Sequence, residues 1–359
     1  LDKAFLWESP MIHGKTGTPF FDALREFKRQ ADRDEIKARM RRALELASRH
    51  GTTAVRAQID VDDVIGLAGL EAALELRNEW ASRIRLQLVA FPQEGLASRP
   101  ELTDLMREAL LMGADVVGGG PSFDKASLTD HLEAVFSLAR EFDCDVDLHV
   151  DLATPASQPA HEWELAEVAR LTRAAGWQGR VTVAHLRGIG AMTSEQAEPL
   201  LRLIREAGIN VTVVPGAELH TARAWWNPPA RDVASAMTNV EALVRAGITV
   251  SYSTGHVCDP WNPLGNADML LDALVFAAAY NLGDPTIAGV PILRLGTSEP
   301  WRAMRLPEPH TIAVGRTADL VVLDASDATA AVRHQGAPRL IFKAGVLVGG
   351  EDARKDESR

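Results

Sequence analysis

Four of the ten histidines in this 359-residue chain stand at comparable places in its apolar pattern. His149 and His185 sit at the ends of the runs 146–150 and 181–185, and His220 and His256 follow the runs 211–214 and 248–252. Imidazole is the commonest transition-metal ligand and the side chain that titrates nearest neutral pH. Histidines at the same end of neighbouring strands converge without any ordering of loops. For His149 and His185, each at the tip of an apolar run, a role as metal ligand or as catalytic group, His185 moving protons, outweighs a hydrogen-bonded place in a wet pocket. For His220 and His256 a hydrogen-bonded place in a wet pocket weighs as much as a role in chemistry. His13, His50, His131, His161, His310 and His334 stand among polar neighbours and are expected to be solvated. Asp60, Asp151 and Asp259 could move protons or cap the next helix. Capping is favoured for Asp60 and Asp259, which leaves Asp151 as the acid–base candidate. Trp225, Trp226 and Trp261 follow the last two apolar runs, where such rings fill a core or wall a planar ligand.

The elements that must position these groups alternate in type. Short β-branched runs at 53–59, 84–91, 115–118, 146–150, 181–185, 211–214 and 248–252 are separated by segments of helical period at 63–82, 100–112, 127–142, 162–175, 194–207 and 232–246, with 268–281 beyond the last run. Thr193 and Asp124 read as helix start signals. Such alternation predicts parallel βαβ units, and functional residues then lie where strands end. That end gathers Gln93 as well, in Phe91-Pro92-Gln93-Glu94. Seven strands fall one short of a (β/α)8 TIM barrel, so the first strand is expected immediately ahead of Leu1. A doubly wound sheet tolerates seven strands, but no Gly-x-Gly-x-x-Gly follows any of them. The barrel is assigned to 1–300. Short runs at 311–314, 320–323, 340–343 and 346–348 predict a small β-sandwich remnant over 301–350, before a charged tail at 351–359.

Composition closes off other classes. Lys and Arg number 38 against 49 acidic residues, a net charge of −11 without a basic stripe, which excludes nucleic acid as the expected partner. No apolar run reaches the roughly 18 residues a membrane helix needs. Cys144 and Cys258 form no CxxC pair and no disulfide framework, so a reducing compartment, the cytoplasm, is expected. The partner implied is a small molecule, with a homo-oligomer left open.

At these residues the sequence resembles the cytosine-deaminase branch of the amidohydrolase superfamily, which also holds the N-isopropylammelide-type amidohydrolases. Leu1-Asp2-Lys3-Ala4 resembles the segment directly after the family's His-x-His metal motif. The stretch LQLVAFPQEG from Leu86 to Gly95 resembles its third-strand motif, and DPWNPLGNADML from Asp259 the segment after its metal-binding Asp. Gly315 through Leu320 is similar to the closing sandwich motif. The resemblance implies that His149 and His185 bind the metal, Gln93 hydrogen-bonds the heterocycle, Trp261 walls the pocket and His220 lies on the seventh-strand loop. It also implies a single Zn or Fe ion that acidifies a water for attack on a C–N centre. Two positions depart from the family. Its general acid–base Glu is Leu152 here, and its metal and proton-shuttle Asp is Gly255, followed by His256. Losing one acid–base group costs about 10²–10⁴ in rate. The expected function is hydrolysis of a C–N bond in a small nitrogen heterocycle, with His256 or Asp151 taking over proton transfer. A metal-free lyase or isomerase using His185, His220 and His256 is the alternative, and so is a ligand-binding relative without catalysis. Cytosine is not an expected substrate, and Leu152→Glu with Gly255→Asp is expected to raise metal content.

Overall fold

The computed structural model describes residues 1–15, 18–152, 157–222, 237–282, 284–307, 310–336 and 338–350. Two helices that the apolar pattern did not single out come first, α1 (Thr18–Gln30) and α2 (Arg33–Arg49). Alternating units follow: β1 (Ala54–Asp60), α3 (Ala68–Trp80), β2 (Arg85–Phe91), α4 (Pro100–Met112), β3 (Val116–Gly119), α5 (Leu128–Phe142), β4 (Asp145–Val150), α6 (Glu164–Ala175), β5 (Val181–His185), α7 (Ser194–Ala207) and β6 (Asn210–Val213). Then come α8 (Pro215–Thr221), α9 (Val240–Arg245) and β7 (Val250–Tyr252), and after them the hairpin of β8 (Val257–Asp259) and β9 (Asn262–Asn266) and the helix α10 (Met269–Ala279).

The seven strands β1 to β7 pair in sequence order, every pair parallel. A doubly wound sheet reverses its order at a switch point, and this one does not, so the fold is of TIM type with seven strands in a curled half-barrel. Strands covered on both faces read as unbroken apolar runs, which is why β3 and β5 are buried along their whole length. Helix starts carry the expected chemistry. Thr193 and Gln196 form a reciprocal capping box at α7. Ser127, not Asp124, caps α5, and Asp124 has a different task described below.

The sheet does not close on itself among the described residues: β1 and β7 are its two edges. The segment from Leu1 to Phe5 runs from the end of β1 to β8, in the hairpin that follows β7. Leu1 N donates to Gln58 O at 3.2 Å, Asp60 N to Asp2 Oδ2 at 2.9 Å, and Phe5 N to Val257 O at 2.8 Å. Downstream, Leu320–Leu323, Pro338–Lys343 and Val346–Gly349 form a three-stranded antiparallel sheet. The strand expected at 311–314 does not form. Ile312 and Val314 point into solvent there, and no neighbour offers a ladder. Among the described residues, no helix is long and apolar enough to cross a membrane.

Candidate functional site

The strand ends open into a cavity of about 940 Å³ whose wall includes Gln93, His149, His185, His256 and Trp261. His149 comes from β4 and His185 from β5, one strand over. Their ring centres are 4.9 Å apart with the planes perpendicular, close enough for both to reach one shared atom. Phe91, at the end of β2, packs 4.8 Å from His149 on the other side. His256 comes from the turn after β7. Its Nδ1 lies 2.7 Å from Asp259 Oδ2, while Asp259 Oδ1 accepts from Trp261 N at 3.0 Å and Asn262 N at 3.1 Å. That single carboxylate therefore fixes both the imidazole and the tryptophan. Trp261 stacks near His256 at 5.8 Å and meets Phe20 of α1 edge-on at 5.3 Å.

Burial sets the charge of the two inner rings. His149 is pushed down to about 3, first by loss of water and then by repulsion from His256 and Lys3. His185 falls well below the usual imidazole range for the same first reason, with His149, Arg187 and His256 adding to it. Both rings are neutral at pH 7, the form that accepts a hydrogen bond or binds a cation. His185 Nδ1 is buried without a hydrogen-bond partner among the described residues.

Gln93 follows β2 in a loop that is tied down from behind. Asp124 accepts from Leu96 N at 2.6 Å, Ala97 N at 2.8 Å, Ser98 N at 3.2 Å and Ala126 N at 3.0 Å, and from His131 Nδ1 at 2.8 Å. His131 is thus fully buried rather than solvated, because it lies on the inward face of α5 where Asp124 receives it. His310 also departs from the solvated expectation. It lines the far part of the cavity and stacks on Trp301 at 4.5 Å.

Other sequence candidates lie elsewhere. Asp151 is fully buried, and its two oxygens accept Glu164 N at 3.1 Å and Leu165 N at 3.0 Å, so its carboxylate caps α6 instead of lining the cavity. His220 is exposed on α8, since the turn that buries Glu218 and Thr221 turns His220 outward. Trp225 and Trp226 lie outside the described residues. Two features escaped the sequence reading. One is Arg187 in the cavity wall, whose only signal was a cation directly after an apolar strand end. The other is the buried cluster of Lys28 with Asp60 at 2.8 Å, Asp62 at 2.6 Å and Glu94 at 3.4 Å. Nothing in the spacing of those four residues announced that they meet.

The sequence model of the amidohydrolase family matches residues 10–350. The chain belongs to that family. N-isopropylammelide isopropyl amidohydrolase of Pseudomonas sp. (strain ADP) is 30% identical over 329 residues, which span 91% of this chain and 76% of that protein. Among solved structures, 5-methylcytosine deaminase from Klebsiella pneumoniae liganded with 5-fluorocytosine superimposes with a TM-score of 0.86 at 29% identity, over 98% of this chain and 84% of the other. N-isopropylammelide isopropylaminohydrolase from Burkholderia multivorans ATCC 17616 gives 0.81 at 26% identity, over 97% and 83%. At this coarse level the chain is grouped with hydrolases of carbon–nitrogen bonds.

Whether this amidohydrolase's residues suit a catalytic metal can be asked of its donors. Such a site takes three protein ligands and leaves a position for water. His149 and His185 supply two neutral imidazoles, and the unpartnered Nδ1 of His185 is a free donor atom. Leu152, on the cavity wall, adds an apolar side chain. Gly255 has a φ of +62°, and a Cβ placed on it would meet Val214 Cγ1, so a side chain there is strained and requires Val214 to move. Among the described residues no three of His, Cys, Asp or Glu gather into a metal-holding group. The described residues do not fit a three-ligand centre. The expectation that Leu152→Glu with Gly255→Asp raises metal content therefore meets strain at position 255.

Proposed function

We propose that this amidohydrolase binds a small, planar nitrogen heterocycle in the strand-end cavity and hydrolyses an exocyclic C–N bond of it. Water adds to the ring carbon, the C–N bond breaks, and a ring carbonyl and a free amine leave. The observation that carries this reading is the convergence of Gln93, His149, His185, His256 and Trp261 on one cavity at the strand ends, in a chain whose relatives are amidohydrolases and a deaminase.

The roles follow from the contacts. Trp261 offers a flat face to the ring, and the Gln93 amide, which both donates and accepts, reads its edge. His256 is oriented through Nδ1 by Asp259, leaving its other nitrogen to take a proton from water and return it to the leaving amine. His185, buried and neutral, accepts a hydrogen bond from the attacked substituent. His149 and His185 are also the donors this chain would offer a Zn or Fe ion, but two donors do not complete a centre and no step is routed through one. Asp151 holds the start of α6 and thereby the end of β4 that carries His149. The free thiols of Cys144 and Cys258 support the cytoplasm as the place of action.

Amine release from a panel of amino- and alkylamino-substituted pyrimidines and triazines tests the reading. Release from at least one alkylamino ring, none from cytosine, and loss of that release in His256→Ala are expected. Ring binding without release from any compound would favour the ligand-binding relative, a reading that Leu152 and Gly255 support.

A further inference from the structure

Among the described residues, Arg187 is the cation of the cavity wall without a hydrogen-bond partner. It is 7% exposed, and its Nε is buried with no partner among the described residues. The other cations of that wall are engaged: Lys3 pairs with Asp60, and Arg56 Nη1 lies 3.0 Å from Asp147 Oδ2. Glu218 lies near enough to interact with the charge of Arg187, yet its carboxylate is already served by Val214 N at 3.3 Å, Thr238 N at 3.0 Å and Thr238 Oγ1 at 3.3 Å. A buried guanidinium has five N–H donors and normally meets a carboxylate or another acceptor, because leaving them bare is costly.

The backbone is built to place it. His185 and Leu186 both have left-handed dihedrals, φ +82° and +52°, directly before Arg187. Two consecutive non-glycine residues in that region are strained, and such strain persists where the surroundings over-determine it. The hydroxyl of Thr238 donates to the His185 carbonyl and pins this turn. The turn brings Arg187 onto the same wall as His185 and His149.

We propose that Arg187 is a specificity residue that takes the anionic edge of the substrate, so that the heterocycle bound here carries negative charge at neutral pH. The shared chemistry is a planar oxygen-bearing anion that a guanidinium fork can hold with two hydrogen bonds. It has two sources, an acidic ring imide and a ring carboxylate. The inference rests on the proposed heterocycle site and narrows the rings that site accepts.

The test is calorimetric binding of three pyrimidine rings to the full chain at pH 7: uracil, neutral; barbiturate, a ring-imide anion; and orotate, a ring carboxylate. At least one anion is expected to bind tenfold or more tightly than uracil, and the better anion names the source. Arg187→Met and Arg187→Gln should bring that preference to within about twofold of unity. Equal binding of all three rings by the unaltered chain, or a preference that survives both substitutions, overturns the inference while the heterocycle reading stands. Failure of all three rings to bind overturns both. The comparison within the unaltered chain decides the matter even if neither variant folds.

Discussion

The two halves of the curled sheet treat buried charge in opposite ways. Around β1 to β3, Lys28 meets Asp60, Asp62 and Glu94, and Asp124 collects four backbone amides and His131. Around β4 to β6, polar groups on the cavity wall are left with positions unfilled: His185 Nδ1 and Arg187 Nε have no hydrogen-bond partner among the described residues. Buried polar atoms without a hydrogen bond occur in the first half too, but there Asp2 Oδ1 and Asp60 Oδ2 lie 3.6 and 2.8 Å from a lysine ammonium and His131 Nε2 lies off the cavity wall. His185 and Arg187 instead line the cavity, where a ligand can complete the bonding. The first half is a frame that holds Gln93 and α1 in place. The second half is kept incomplete for what enters.

The comparison is most sharply broken by removing Lys28. Burial works against its charge, yet Asp60 and Asp62 hold its protonated form above the ordinary lysine range. Lys28→Met leaves Asp62 buried without its counter-charge and Asp60 with Lys3 alone, which costs about 3–5 kcal/mol. Arg187→Met should cost half of that or less, because no described residue loses a hydrogen bond. Denaturant unfolding of both variants measures the order, and a reversal would show that the two halves do not differ as described.

A smaller effect concerns an acid of the second half. Asp272, buried on α10 beside Gly216 and Asn262, is pushed up to about 7, first by loss of water and then by Asp268, although a bond from the Gly216 backbone opposes this. Between pH 4 and 7 the folded chain therefore holds a proton here that the unfolded chain has released. Stability consequently falls as pH rises through that window and levels off above it. Asp272→Asn removes the penalty and should gain about 2–4 kcal/mol over the unaltered chain at pH 8, taking 1.36 kcal/mol per pH unit as an upper slope. The two should converge near pH 4. Thermal melts across pH 4 to 8 check the crossing, and parallel curves would place Asp272 in contact with water.

Gly255 tests the limit of what the second half can be made to hold. Gly255→Asp should destabilise by about 2 kcal/mol, through a strained φ and the collision with Val214, and should not raise zinc retained after dialysis. Leu152→Glu places a carboxylate on the cavity wall beside the two imidazoles and should raise zinc retention on its own. Elemental analysis of both variants separates the positions. Zinc gained in Gly255→Asp alone would mean that the turn after β7 reshapes.

Much of this architecture was legible because it depends on local rules. The parallel strands announced themselves as β-branched runs, and the capping box at Thr193 by its residue types. His149 and His185 were legible as a pair because strand ends carry side chains to a common mouth whatever the loops do. Asp151, His220 and His131 were not. Their placement depends on which face of a turn or helix packs inward, and a carboxylate that caps a helix has the same sequence as one that moves protons. The Lys28 cluster was hidden for a related reason: its members lie on α1, on β1 and just after β1 and β2, and only the fold brings them together. The glycine at 255 looked like a lost carboxylate, and its backbone angle shows a place where any side chain would be strained.

The smallest effect expected is at Asp259, where frame and ligand wall meet. Asp259→Asn keeps an oxygen for the amides of Trp261 and Asn262, so stability should change by no more than about 1 kcal/mol. What it loses is the charge that holds His256 Nδ1 at 2.7 Å, so the imidazole can turn and offer the wrong nitrogen to water. Ring binding, which draws on Trp261, should stay within about twofold, while amine release should fall by about tenfold or more, in line with the usual worth of a positioned base. Asp259→Ala removes both functions at once and should lower affinity as well, because the backbone that presents Trp261 loses its two anchors. Measuring binding and turnover on the two variants separates the oxygen's structural duty from the charge's chemical one. A loss of affinity equal in both would mean that Asp259 serves Trp261 alone and that His256 has another orienting partner.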